Sequence, residues 1–191
     1  MKISEKAKKS FLVTSAVKLR NSELFWVLSF SFLTFVAAQF AIPVQPVPFT
    51  LQTMIVLLSG AFLGSKNGAY SQLAYLAAGV IGIPVFAGFS FGFAKILGPT
   101  GGYLLSFPFA ALLVGYLLEK NRKPVTIFLS FLVGEALILF AGASYLALFL
   151  NGNFTNALFS GAFIFSFSDL IKVFVAYSIY KAASKNFPKL P

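Results

Sequence analysis

The chain has 191 residues, 58% of them hydrophobic and only 10% charged; a soluble domain carries about 25% charged residues, so an ordinary globular surface is excluded. The net charge of +10 would suggest nucleic acid on a soluble protein. Here the basic residues lie between apolar runs, where they set topology and meet the headgroups of a lipid bilayer, so nucleic acid is not expected as a partner.

Residues 1–23 are basic, with Lys2, Lys6, Lys8, Lys9, Lys18 and Arg20. No small-residue cleavage site follows a short apolar core, so this stretch reads as a cytoplasmic extension rather than a signal peptide. A membrane domain is expected over 24–181 and a basic cytoplasmic tail over 182–191. The first apolar segment runs from about Leu24 to Ala41 and the second from about Leu51 to Leu63. The third runs from about Ala69 to Phe86, the fourth from Tyr103 to Leu118 and the fifth from Val125 to Leu150. The sixth lies between Ala157 and Tyr180. A spanning helix needs roughly 20 apolar residues. The second and fourth segments fall short, and transporters use such interrupted segments around a binding site.

The breaks have local causes. Pro43, Pro46 and Pro48 stop any helix there, and Pro84 ends or kinks the third segment. Gly88, Gly92, Gly98, Pro99, Gly101 and Gly102 make a long loop before the fourth, and Asn151-Gly152-Asn153 makes a turn after the fifth. With the N-terminus inside and six crossings, all Lys and Arg except Lys95 and Lys172 fall on the inside. The expected fold is therefore an all-α integral membrane protein of six transmembrane helices with cytoplasmic N- and C-termini. The Pro-, Gly- and Asn-rich connections 42–50, 85–102 and 151–156 then lie outside, where a ligand would arrive.

The chain has no Cys and no His, which removes thiol chemistry and the commonest transition-metal ligand. Among five acids, Glu5, Glu23 and Glu119 read as solvated, leaving Glu135 and Asp169 in apolar surroundings with the base Lys172. Asp169 and Lys172 are three apart and share one helix face. They form either a ligand site or a self-neutralising structural pair, and intramembrane charge favours the former. Thr50 is a candidate N-cap for the second helix, and Gln52 offers a donor and an acceptor to a ligand or to the bundle. Glu135 follows Gly134 in mid-helix with no partner legible in the sequence. Gly98-Pro99-Thr100-Gly101-Gly102 is no phosphate loop, because no Gly-Lys-[Ser/Thr] follows. With no nucleotide motif, uphill transport would draw its energy from a partner. Thr34 with Ala38, and Ala37 with Ala41, recur at the spacing that lets another helix approach closely.

Several motifs carry a family resemblance. They are Pro46-Val47-Pro48-Phe49-Thr50-Leu51-Gln52-Thr53, Tyr75-Leu76 with Gly79, Gly82-Ile83-Pro84-Val85-Phe86-Ala87-Gly88, Leu97-Gly98-Pro99-Thr100-Gly101-Gly102-Tyr103-Leu104, Gly142-Ala143-Ser144-Tyr145-Leu146-Ala147 and Asp169-Leu170-Ile171-Lys172. In order and spacing, from roughly Phe25 to Tyr180, the chain resembles the BioY family of biotin-specific S components of energy-coupling factor (ECF) transporters. The resemblance implies a high-affinity, membrane-embedded biotin-binding subunit in a bacterial cytoplasmic membrane. It would have six helices and a vitamin site near the outer face, under the first and third loops.

The same resemblance places Asp169 and Lys172 in the site with Gln52 and Ser90, and gives Phe86 and Tyr103 as apolar walls. Asp169 would accept from the ureido N–H groups; Lys172 would meet either the ureido oxygen or the carboxylate tail. No catalytic residue, metal or cofactor is implied, and biotin is the transported ligand. The partners would be a membrane-embedded coupling protein, docked on the small-residue face of the first helix, and two cytoplasmic ATPases. One departure stands out: the family has Pro and Gly just before the Asp, whereas this chain has Phe165-Ser166-Phe167-Ser168. Ser168 could cap a helix starting at Asp169, or the helix could start nearer Ala157. The competing readings are an S component for another vitamin, a membrane enzyme using Glu135 and Asp169 as acid and base, and a small channel or scaffold.

Overall fold

The computed structural model describes residues 22–185. The basic residues of 1–21 and those after Lys185, on which part of the topology argument rests, lie outside the described residues. The elements are α1 (Glu23–Gln39), β1 (Ala41–Ile42), β2 (Phe49–Thr50), α2 (Gln52–Val80), α3 (Phe93–Ile96), α4 (Gly101–Lys120), α5 (Pro124–Leu146), α6 (Phe154–Gly161) and α7 (Ser166–Ala183). The chain is thus mostly helical, with one small antiparallel ribbon, Ala41 opposite Thr50, that the all-α reading did not include. Among the described residues, Gly101–Lys120, Pro124–Phe149 and Phe154–Ala183 are long and apolar enough to cross a membrane. Their outward faces carry large apolar side chains such as Phe109, Phe140 and Phe174, which lipid accepts and water would not.

The 29 residues of α2 are not one rod. Gly64 sits at φ 81° and ψ −178°, a conformation that glycine reaches without a side-chain penalty. The chain folds back there, so that 52–63 and 65–80 become two packed arms. Gln72 Nε2 donates to Ser59 Oγ at 3.1 Å across them. The contact is so close that a Cβ on Gly68 would lie 2.8 Å from Gly60 Cα. These arms are the expected second and third segments. The third stops at Val80 rather than Phe86, before Pro84, whose ring disfavours helical geometry in the residue ahead of it.

The two described ends lie on the Gly64 side of the bundle. Asn67 Nδ2 donates to Glu23 Oε2 at 3.2 Å, while Ser65 N and Oγ donate to Glu119 Oε1 and Oε2 at 2.9 and 3.0 Å. Glu23 and Glu119 are exposed, as expected, and each also accepts hydrogen bonds from the chain. The turn at Gly64 leaves the first N–H groups of the second arm without an intrahelical acceptor, and the Glu119 carboxylate supplies one from α4.

The small-residue face of α1 also differs from expectation. Thr34, Ala37 and Ala38 are buried within the chain, and Thr34 Oγ1 lies 3.3 Å from Gln72 Oε1. Their size lets α1 approach α2, and they are not offered to a partner.

Two apolar clusters fill the bundle. One, with Leu57, Phe62, Val114, Phe131 and Tyr180, sits toward Gly64. The other, with Tyr75, Phe86, Tyr103, Phe107, Ile138 and Phe165, sits toward the opposite end and surrounds a cavity.

Candidate ligand-binding site

The cavity lies between the first and third connections and the ends of α2, α4, α5 and α7. Val47 and Phe49 come from the first connection, Phe86 and Lys95 from the third. Thr53 enters from α2, Tyr103 and Phe107 from α4, Ile138 from α5, and Asp169 and Lys172 from α7. The ribbon brings Phe49 back over the bundle, where its ring stacks on Phe165 with centroids 6.3 Å apart. The third connection is held by Gln39 at the end of α1. Gln39 Nε2 donates to Phe86 O at 3.2 Å, and its Oε1 accepts from Phe89 N at 3.1 Å. Tyr75 OH donates to Val85 O at 3.2 Å.

The charged floor of the cavity is nearly dry. Asp169 and Glu135 are each 3% exposed and Lys172 is 6% exposed. Lys172 Nζ lies 2.6 Å from Asp169 Oδ1 and 3.8 Å from Glu135 Oε1. It donates to Thr53 Oγ1 at 2.8 Å and to Thr50 O at 3.2 Å, and it stands 4.8 Å from the centre of the Phe49 ring. Asp169 Oδ1 has the Lys172 ammonium as its partner, while the Glu135 carboxylate has the Thr53 hydroxyl beside it and the same ammonium further off. An ionised carboxylate can accept about four hydrogen bonds, so two buried carboxylates around one ammonium keep acceptor capacity to spare. A ligand presenting N–H groups would satisfy Asp169.

Asp169 owes its place to a break in the last apolar segment. Tyr103 OH donates to Gly161 O at 2.6 Å. That carbonyl would otherwise accept from the helix four residues on, and Phe165 N turns to Ala162 O instead. The helix stops at Gly161, passes through a 3-10 turn at Phe163–Phe165, and restarts at Ser166. Asp169 thereby falls in the first turn of α7, where the helix dipole favours a carboxylate. Ser168 is not the cap: its Oγ donates to Phe165 O at 2.7 Å from inside the helix. Ser166 is the first residue of α7, so neither start point read from the sequence holds.

A family model described as the BioY family matches residues 8–189. The chain belongs to the BioY family. It is 40% identical over 168 residues to the probable biotin transporter BioY of Pyrococcus horikoshii, covering 88% of this chain and 99% of that one. It is 38% identical over 147 residues to the biotin transporter BioY of Thermotoga maritima, covering 77% and 86%. Among solved structures it is similar to the S-component for biotin from an ECF-type ABC transporter. The TM-score there is 0.81 at 29% identity, with 91% of this chain and 94% of that one covered.

In this BioY chain, five of the six residues singled out from sequence line the cavity: Asp169, Lys172, Gln52, Phe86 and Tyr103. The amide of Gln52 is largely engaged within the protein. Nε2 donates to Tyr75 OH at 2.5 Å and Oε1 accepts from Thr50 Oγ1 at 3.0 Å. Thr50 is one residue short of capping, since Leu51 holds the N-cap position, but its hydroxyl still accepts from Gln52 N at 3.3 Å. Ser90 stands apart from the lining; its Oγ donates to Ala87 O at 2.8 Å and its carbonyl accepts from Phe86 N at 3.0 Å, closing a tight turn.

Sequence reasoning did not assign Lys95, Thr53, Phe49 or Phe165 to the cavity. For Lys95 a signal existed, as the lone basic residue of the expected outside loops. It also left Glu135 without a partner, because Lys172 is 37 positions away and only the fold brings the two within ion-pair distance.

Proposed function

We propose that this BioY-family chain captures biotin as the membrane-embedded S component of an ECF-type transporter. Support comes from relatives named as biotin transporters, from the likeness to a biotin S-component, and from the cavity chemistry. The observation that carries the reading is the buried Asp169–Lys172 ion pair facing an aromatic cavity. A ureido ring supplies N–H donors for Asp169 and a carbonyl oxygen for the Lys172 ammonium. Phe49, Phe86, Tyr103 and Phe165 wall in the fused rings, as binding pockets commonly do. Lys172 is buried on the floor and Lys95 is half-buried in the third connection. In this reading the ureido end goes down to Lys172, and the carboxylate tail points up to Lys95.

The chain crosses the cytoplasmic membrane six times: by α1, the two arms of α2, α4, α5, and α6 with α7. Both termini are cytoplasmic. Lys66, Lys120, Arg122, Lys123, Lys181 and Lys185 cluster at the ends and turns on the Gly64 side, which supports that face as cytoplasmic. Biotin then enters from the other face, through the Pro- and Gly-rich connections. A membrane-embedded coupling protein and two cytoplasmic ATPases supply the energy, as the chain has no nucleotide-binding motif of its own. The protein is a transport subunit and not an enzyme.

Isothermal titration of detergent-purified protein with biotin tests this reading. Tight binding is expected, with an affinity loss of about 30-fold or more in Asp169→Asn, the effect of removing one partner of a buried charge pair. A folded, unmutated protein that ignores biotin but binds thiamine or riboflavin would transfer the site to another vitamin.

A further inference from the structure

Glu135 is the one buried acid that this reading leaves without work. It sits on α5 behind Lys172 and does not line the cavity. The Thr53 hydroxyl lies beside its carboxylate, and the Lys172 ammonium stands 3.8 Å from its Oε1. The ammonium has three N–H groups. Two donate to Thr50 O and Thr53 Oγ1, and the remaining side of the nitrogen is turned to Asp169 at 2.6 Å. Two carboxylates therefore compete for one charge. Asp169, the cavity-facing one, holds it; Glu135, the rear one, waits within ion-pair distance.

This arrangement has a consequence for ligand capture. A ligand N–H can use Asp169 Oδ1 fully only if Lys172 loosens its hold there. An ammonium released without another anion would be a buried, uncompensated charge, which costs several kcal/mol. We infer that Glu135 is a positioning residue that receives the Lys172 ammonium when ligand takes Asp169, so that the counter-ion shifts from the cavity-facing to the rear carboxylate. The shift required is about 1 Å, since 3.8 Å is already inside ion-pair range and a charge-assisted N–H···O contact lies near 2.8 Å. The cavity-facing charge is thereby held neutral in the empty site and made available on demand. This inference rests on the proposed ligand site. The other charged or titratable groups near the cluster are Tyr103 from α4 and Lys95 from α3, both lining the cavity, and neither is a carboxylate able to take the ammonium.

The test combines biotin titration with infrared difference spectroscopy of the full chain in detergent, comparing the unmutated protein with Glu135→Gln, Glu135→Asp and Asp169→Asn. Glu135→Gln keeps the shape and removes the charge. Biotin affinity is expected to fall about tenfold in Glu135→Gln and no more than about threefold in Glu135→Asp, within the coupling range of residues that share one salt-bridge network. The biotin-induced spectrum of the unmutated protein should contain two carboxylate bands, one lost in Glu135→Gln and one in Asp169→Asn. Unchanged affinity in Glu135→Gln would overturn the inference. So would a biotin-induced spectrum with no Glu135 band, which would reduce Glu135 to a packing role. Should Glu135→Gln not fold, a shifted band in Glu135→Asp supports the transfer and an unshifted spectrum refutes it. Absence of biotin binding by the unmutated protein would remove the ligand reading itself, an outcome distinct from both.

Discussion

At the Gly64 end, charged side chains serve the backbone. Glu119 takes the N–H and hydroxyl of Ser65, and Arg122 Nε donates to Leu118 O at 3.2 Å. At the Asp169 end, charged side chains face one another, and two buried carboxylates share one ammonium. Both ends have turns and an aromatic cluster, but their polar groups are disposed differently. The first end is closed on itself, with Tyr180 OH as its orphan. The second encloses two carboxylates with one cation, which costs stability unless the extra charge is compensated. Stability and binding are thus expected to separate along the bundle, and substitutions at the two ends can show whether they do.

The largest effect is expected at the cavity floor. Lys172→Met would strand Glu135 and Asp169 without a counter-charge, a loss of about 3–5 kcal/mol by analogy with broken buried pairs. Thermal unfolding in detergent should show it, together with loss of biotin binding; an unchanged melting temperature would mean that the two ends do not differ as described. Gly142→Ala comes next. Its new methyl would run into the Tyr103 ring, and overpacking of this kind costs about 1–3 kcal/mol. Tyr103 would be driven toward the cavity or off Gly161 O, so both melting temperature and biotin affinity should fall.

Glu119→Ala at the opposite end should cost about 1 kcal/mol, the typical value of a lost helix cap. Biotin affinity should stay where it was; a joint loss would show that the Gly64 turn and the cavity are coupled. The smallest effect is expected from Lys95→Ala. A half-exposed ion pair is worth about 0.2–1 kcal/mol, so affinity should drop a few-fold with no change in unfolding. The difference should shrink as salt is raised, and a salt-independent loss would place Lys95 deeper in binding than its exposure implies.

Several features were legible in the amino-acid sequence because they are local. Apolar runs marked the first, second, fourth and fifth segments to within a few residues, whereas the third ended at Val80 before Pro84, the sixth is broken into α6 and α7, and α3 lies in what read as a loop. The Asp169–Lys172 pair was legible from its spacing alone, since three residues on a helix put two side chains on one face. The remaining features were not legible, and for one reason: their partners are remote in the chain. Thr34 and Ala38 look like a docking face until Gln72 and the second arm of α2 are seen to cover them. Gln52 lines the cavity, but that Tyr75 and Thr50 engage its amide could not be read from the chain. The break at Gly161 follows from a hydroxyl 58 positions upstream.

Composition and hydropathy alone thus determined that the chain belongs in a bilayer. The prolines and glycines determined where several of its helices stop. These are properties of segments, set by transfer free energy and backbone sterics. Only the tertiary structure decided which charges meet. Lys172 stands between Asp169 on its own helix and Glu135 on α5, over Thr50 and Thr53 at the start of α2. In a low-dielectric interior the energy of a charge is set by its neighbours within a few ångströms, and sequence order does not reveal who those neighbours are.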